Sequence, residues 1–337
     1  MQAETPFYRW ARLPGVAIGL LLLCHFNAAA ITPGRYSGYD AGQDELVLQP
    51  FEASRAPQRK TTSIFKTSAR QATPALQLAL ARELETTDSL TAAAKACDAL
   101  VRRWPYAPEA ATAQLRLAEI LQRRGRVKQA FDAYHYLIHF YPESAPLRKV
   151  LKEMQSLTET TLARGKRARA LDMYLTLAEQ APNWSGTPAV LLAAGKLQQA
   201  DKEWFDALET FEKISASFPE SAEAESGAAA AAHILHRLSL RYREDDAIQR
   251  RAQTGLNSVL RRYPGHAERE ELQRELAELT ARRYEQHYRK AAFYDSPRFK
   301  PAAAMTAYRE FIRLFPHAPQ VPAVQQRLSQ LAGQQGE

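Results

Sequence analysis

The sequence is short of the residues that staple or loosen small folds. It holds only 2 Cys in 337 residues, Cys24 and Cys97, which excludes a disulfide framework and any Cys-based zinc site. Gly numbers 14 against 59 Ala. Ala is the best helix former and Gly nearly the worst, so the balance favours helix before any pattern is read. Neither sign of charge dominates, since 45 basic residues face 37 acidic ones for a formal net charge of +8. An excess this small, spread along the chain, is not the concentrated charge of a dedicated nucleic-acid binder. With 45% hydrophobic and 24% charged residues the chain is globular by composition, and its length suits either about two ordinary domains or one elongated array.

Long apolar runs are scarce too. The N-terminal one, Leu13 to Phe26, spans 14 residues, short of the ~20 that a membrane-spanning helix needs. Arg9 and Arg12 precede it and Ala28-Ala29-Ala30 comes after it, the order of a secretory signal with cleavage expected after Ala30. Cys24 offers a second outcome. Leu21-Leu22-Leu23-Cys24 has the apolar part of a bacterial lipobox, although Leu23 stands where Gly, Ala or Ser is usual. Cys24 is thus a candidate lipidation site if it is not removed with the signal. Residues 31–73 lack a sustained apolar period and are broken by Pro33, Gly34, Gly38, Gly42, Pro50 and Pro57, so they read as a flexible arm. Tyr36, Tyr39, Phe51 and Phe65 are the anchors by which it could order on a partner.

From Thr73 onward one phrase recurs, a helical stretch closed by an aromatic residue and Pro. The copies are Trp104-Pro105, Tyr141-Pro142, Phe218-Pro219, Tyr263-Pro264 and Phe315-Pro316, with Ala181-Pro182 degenerate, and the prolines lie 37, 40, 37, 45 and 52 residues apart. Spacings in this range mark stacked two-helix units. Twelve residues before each Pro stands Ala (Ala93, Ala130, Ala170, Ala207, Ala252, Ala304), and eight before it stands Cys97, Tyr134, Tyr174, Phe211, Leu256 or Tyr308. Four residues apart places the small and the large side chain on one helix face. Upstream, Ala81, Ala118, Gly195 and Ala292 lie twenty-four before their Pro, with Thr158 and Leu240 in that place in the third and fifth copies. Gly125 and Gly165, seventeen before theirs, suit a tight helix-to-helix turn. Thr73-Pro74 opens the first helix as an N-cap and then Pro at the first helical position. The fifth copy gains length around Tyr242 to Asp246, and the sixth carries a long helix from about Glu268 to Tyr294. A last helix from Pro322 to about Leu331 is expected to cap the array.

This pattern resembles the tetratricopeptide repeat over about 74–317. It implies an all-α solenoid of about five to six helix-turn-helix units. The organisation expected is a signal over 1–30, an arm over 31–73, the solenoid over 74–320, and a capping helix and tail over 321–337.

Catalytic signatures are missing. There is no phosphate-cradling Gly loop, no Gly-x-Ser-x-Gly elbow and no His-Glu-x-x-His, and no nucleophile–base constellation, so no enzyme, cofactor or small-molecule substrate is expected. His135 and His139, and His233 and His236, share helix faces but come without a Cys or an evident acidic third ligand in the sequence, and no metal site is assigned. The doublets Arg102-Arg103, Arg123-Arg124, Arg250-Arg251, Arg261-Arg262 and Arg282-Arg283 read as cations near helix ends, not as a nucleic-acid surface.

What remains is surface. The resemblance implies a groove lined by the first helix of each pair and suited to an extended peptide or a partner helix. In its register the groove positions include Arg82, Glu119, Gln122, Arg123, Lys152, Glu159, Lys196 and Gln199. A signal-led chain of this kind is also similar to the BamD lipoprotein family of the machinery that inserts outer-membrane β-barrels. The closest wording runs from Tyr284-Glu285-Gln286-His287-Tyr288 through Ala291-Ala292-Phe293-Tyr294, Tyr308-Arg309-Glu310-Phe311 and Phe315-Pro316-His317-Ala318-Pro319. The resemblance implies a periplasmic adaptor, peripheral to the outer membrane or lipid-anchored there, that binds the barrel-inserting subunit and unfolded outer-membrane proteins. The alternative is a soluble periplasmic coordinator of the YbgF (Tol-Pal) type, whose N-terminal coiled coil would need heptads that residues 31–73 lack.

The register carries a test. Ala207→Trp, at a close-packed position, is expected to destabilise the protein by several kcal/mol through overpacking, and an unchanged melting temperature would show the register to be wrong.

Overall fold

The computed structural model describes residues 68–296 and 301–333. By internal contacts the chain divides between Ser37 and Gly38, and everything described belongs to the second unit. The signal and most of the arm, with Cys24, lie outside the described residues.

Thirteen α-helices and no strand occur among the described residues. Six antiparallel pairs run α1 (Pro74–Thr86) with α2 (Leu90–Arg103), α3 (Glu109–Arg123) with α4 (Val127–Phe140), and α5 (Leu147–Ala163) with α6 (Arg167–Gln180). They continue as α7 (Thr187–Ala200) with α8 (Trp204–Ser217), α9 (Ala222–Arg241) with α10 (Asp246–Arg262), and α11 (Arg269–Phe293) with α12 (Pro301–Leu314), before a final α13 (Val321–Gly333). Most are 13–17 residues long, marginal as isolated helices in water, so packing and not propensity holds them. Each helix packs on the next. The first helices α1 and α3, α7 and α9, and α9 and α11 also touch one another and share a face. No described helix is long and apolar enough to cross a membrane.

The expected contact positions are core. Ala93, Ala130, Ala170, Ala207 and Ala252 are wholly buried and Ala304 nearly so, and their partners from Cys97 to Tyr308 are buried with them. At Gly195 even a methyl group is excluded, because a Cβ there would lie 2.5 Å from Cε1 of the buried Phe211. Thr158 fits its slot, fully buried with its hydroxyl donating to the Met154 carbonyl at 2.8 Å. Two expectations fail. Leu240 is 40% exposed, and the buried residue is His236, one turn earlier, since the fifth pair carries extra length at its junction. In the sixth pair Ala292 is only half-buried and its neighbour Ala291 is the core residue.

The turns repeat as closely as the contacts. At each second helix's end the aromatic N–H donates to the carbonyl four residues back, as from Trp104 to Leu100 at 2.9 Å and from Phe218 to Ile214 at 2.8 Å. The next residue, Pro, has no N–H to continue the ladder. The same aromatic's carbonyl then accepts from the residue three on, through Ala107, Ser144, Ser221, His266 and Ala318. The degenerate copy does this with Ala181 and Trp184, and Trp184 is the buried aromatic of that connection.

Within the first four pairs the residue seventeen before the Pro has positive φ, at Asp88 (55°), Gly125 (68°), Gly165 (74°) and Lys202 (66°). Each closes a two-bond C-terminal cap. In the second pair Gly125 N–H donates to the Gln122 carbonyl and Arg126 N–H to that of Leu121, at 2.8 and 2.9 Å. Asp88 and Lys202 make the same turn without Gly, so only half of these turns are announced by composition. The fifth pair turns differently, with the Asp245 carboxylate capping α10 by accepting from the N–H groups of Ala247 and Ile248.

The buried apolar residues form two clusters. One runs from Leu78 to Leu279 and the other from Ala291 to Leu331. α11 belongs to both, and between Leu279 and Ala291 it presents Arg282, Arg283, Gln286 and His287. The doublet Arg282-Arg283 therefore sits in the middle of a helix, not near its end, because α11 continues to Phe293. Arg283 is buried and donates to Gln253 and to Asp246.

Gly125→Ala tests the turn. Nothing lies within 4 Å of the new methyl, so the cost is the left-handed backbone alone, about 1–2 kcal/mol. Gly265→Ala, equally uncrowded and without a positive φ, is expected to be close to neutral in the same urea titration.

Candidate protein-interaction face

The face shared by the first helices is polar and cross-linked. The Glu85 carboxylate on α1 accepts from Arg116 Nη1 at 2.7 Å and Arg123 Nη1 at 2.9 Å, both on α3. Lys149 on α5 donates to Glu119 at 2.7 Å, and Gln122 Nε2 donates to Glu153 at 2.6 Å while accepting from the Tyr134 hydroxyl at 2.9 Å. Glu119, Gln122 and Arg123 thus sit where the repeat register puts them but are held by neighbours. The exposed ion pairs among them, Arg123 with Glu85 and Lys149 with Glu119, contribute about 0–1 kcal/mol each, so an arriving partner can displace them cheaply. Arg82 on α1, Lys152 and Glu159 on α5 and Lys196 on α7 are exposed, and Glu159 accepts from Gln155 at 3.0 Å. Gln199 is half-buried in a cleft toward α9.

That cleft, about 930 Å³, is framed by the end of α7, the start of α8, and α9 and α11. Lys202, Trp204, Leu240, Arg237 and Arg241 line one side, and Glu268, Glu271 and Glu275 the other. The repeat spacing conceals Arg237 and puts Arg241 in the wrong place for one reason. The fifth pair's extra turn shifts its register by four residues, and once that shift is made Arg237 and Arg241 occupy the places of Glu119 and Arg123.

The second His pair is also completed by the fold. His233 faces Glu275 through Nδ1 at 2.9 Å and Glu268 through Nε2 at 3.1 Å, and His236 Nδ1 lies 3.3 Å from Glu275. Glu275 lies 42 residues beyond His233 in the chain, so no local pattern could join them. A ring with both nitrogens facing carboxylates is satisfied only when protonated, and the bond to Glu275 raises the His233 pKa above its usual value. Burial pushes Glu275 upward, yet the bonds from His233 and His236 outweigh it and bring its pKa down to about 2. Among the described residues no group of three or more His, Cys, Asp or Glu is disposed to hold a metal ion. For His135, burial and the neighbouring His139 lower the pKa. Burial pushes the Cys97 thiol up to about 12, which leaves it protonated and inert.

These pairs, turns and contacts define an all-α array of antiparallel helix pairs whose first helices share a polar face. Two stretches of the chain, 112–144 and 189–221, match the tetratricopeptide repeat family model, and they correspond to the second and fourth pairs. No curated protein matches the sequence. Among solved structures, the chain is similar to a tetratricopeptide repeat protein from Parabacteroides merdae at 15% identity, over 77% of this chain and 98% of that one, with a TM-score of 0.28. It is similar to PilF of Pseudomonas aeruginosa at 15% identity, over 75% and 97%, with a TM-score of 0.27. A thermophilic repeat protein of Thermus thermophilus is 17% identical over 62% and 99%, also with a TM-score of 0.27.

The His233 site predicts a pH dependence. Because the folded pKa of His233 lies above its usual 6.5, its stabilisation is complete below that pH and is lost as pH rises through the raised value. Glu275 contributes above its usual 4.5 and loses this only as pH falls toward 2. The α9–α11 joint is therefore strongest between pH 4.5 and 6.5. His233→Gln is expected to cost about 1–2 kcal/mol in urea unfolding inside that window, and less in alkaline buffer. A penalty equal at both would mean the ring is held neutral.

Proposed function

We propose that this chain is a non-catalytic protein-interaction scaffold, exported to the periplasm and acting at the outer membrane as a BamD-like adaptor of β-barrel assembly. The observation that carries the scaffold reading is the first-helix face. Its polar side chains reach across neighbouring helices through weak, exchangeable pairs such as Glu119 with Lys149 and Glu85 with Arg123. Such a face exchanges internal hydrogen bonds for bonds to an extended segment at little net cost.

The finer reading is supported by the closing unit. The long α11 and Ala-rich α12, ended by Phe315-Pro316 and succeeded by α13, keep the order in which the BamD family closes, and here they have a core of their own. The N-terminal pattern supports export, with Cys24 lipidated or removed with the signal.

Affinity purification of the tagged full chain from solubilised envelopes tests this, and it is expected to recover a large β-barrel bearing periplasmic domains. Recovery of septal or peptidoglycan-synthesis proteins alone would transfer the protein to the Tol-Pal coordinator type.

A further inference from the structure

The cleft between α7, α9 and α11 is unbalanced in a way its overall composition hides. Each acid on its wall already has a partner. Glu268 and Glu275 face His233, Glu275 also faces His236, and Glu271 lies 3.5 Å from Arg274. The cations on the opposite wall do not. Among the described residues no carboxylate comes within ion-pair distance of Lys202, Arg237 or Arg241, in contrast to Arg116, Arg123, Arg167 and Arg251 of the same array.

What Arg237 and Arg241 do have is aromatic support. The Arg237 guanidinium lies 4.4 Å over the Trp204 ring and that of Arg241 5.6 Å over Tyr242. Stacking orients a guanidinium while leaving its N–H edges available for a carboxylate. Beside them Leu240 is 40% and Phe205 56% exposed, and the Phe205 ring lies 6.2 Å from that of Tyr242.

We propose that this cleft binds an extended acidic peptide segment carrying carboxylates on alternate residues, with Arg237 and Arg241 each taking one carboxylate and Lys202 completing the cationic wall. Spacing selects the segment's form. Arg237 and Arg241 are four residues apart on α9, a rise of about 6 Å, and alternate side chains of an extended chain lie about 6.6 Å apart on one face. A docked helix would need its carboxylates four residues apart to match the same distance, because residues two apart do not share a helix face, so Glu-x-Glu spacing distinguishes the two forms. Leu240 and Phe205 then offer apolar contact to a flanking side chain. The inference rests on the scaffold reading but not on the identity of the assembly served.

The test uses the full chain and an end-blocked, fluorescein-labelled peptide containing Glu-x-Glu, read by fluorescence anisotropy. Binding is expected, with Arg237→Gln/Arg241→Gln weakening it about tenfold or more. The exposed control Arg164→Gln/Arg169→Gln, which lowers net charge equally, should leave it nearly unchanged. A Gln-x-Gln peptide should not bind. Failure of the Glu-x-Glu peptide to bind, or equal losses in the two double variants, would overturn the proposal, the second by showing only a long-range field. Equal or tighter binding of a peptide whose one carboxylate is its C-terminus would overturn it as well, in favour of a chain end as ligand. If the peptide binds while envelope purification recovers no β-barrel, the cleft stands and the adaptor reading falls. The reverse result leaves the adaptor and removes the cleft.

Discussion

The array depends on how closely two helices can approach. In every pair an Ala on the second helix is buried, and in five of the six it stands one turn before a large buried residue, Cys97 taking that place in the first. The small side chain permits the approach, and the large one fills the space that the approach leaves beside it. Gly195 is the limiting case. Replacing it with Ala would gain up to about 1 kcal/mol of helix propensity, but the methyl would enter the space of a fully buried Phe211 ring, and overpacking of about 1–3 kcal/mol outweighs that gain. A wrong side chain at this contact changes the separation of two helices and, through the aromatic-Pro turn, the placement of the next pair. The polar face has meaning only because this spacing is kept.

Much of this is legible in sequence because both devices are local. Ala and its large partner are four residues apart, the aromatic and Pro are adjacent, and each recurs at a spacing that exposes it. The same locality explains the failures. Extra length at the fifth junction is invisible until both helices are seen, so the repeat spacing gives Leu240 a buried place that belongs to His236 and passes over Arg237. The turns at Asp88 and Lys202 adopt positive φ without Gly, since the C-terminal cap's hydrogen bonds hold the backbone there. The His233–Glu275 contact joins α9 to α11 across an entire intervening helix. Nothing in either local segment marks it.

In the sixth pair the apolar contact lapses and charge takes its place. Between Leu279 and Ala291 α11 is joined to the fifth pair by polar groups. Arg283 and His287 face Asp246, Gln286 donates to Glu244 and Arg282 donates to Ser239. Beyond it the closing unit has its own tie, in which Arg327 on α13 grips Asp295 at 2.7 and 2.9 Å while the Tyr308 hydroxyl donates to the same carboxylate at 3.1 Å. The Arg327 bonds hold the Asp295 carboxyl below the usual carboxylate range. Stability in a repeat array is carried by nearest-neighbour interfaces. A boundary made of charge pairs is more sensitive to salt and pH than one made of buried leucine. The closing unit is thus anchored internally by Asp295 and coupled to the fifth pair by these polar groups together with the buried Leu272 and Leu279 of α11.

That distribution bears on how the face could discriminate among partners. Where α1, α3 and α5 meet, Glu85 and Glu119 are held by cations of the neighbouring helices, so a segment docking at those groups exchanges one set of hydrogen bonds for another. At the α7–α9–α11 cleft Glu268 and Glu275 are occupied by histidines, Glu271 faces Arg274, and the arginines of the other wall rest on aromatic rings, so sign decides. The two effects are linked, because His233 occupies Glu275 and Glu268 together only when protonated. As pH rises and His233 loses its proton, those carboxylates are no longer neutralised by it and the cleft becomes less favourable to an acidic segment. The group that fastens α11 to α9 therefore also sets the field an arriving acidic segment meets, and the fastening and the selectivity weaken together.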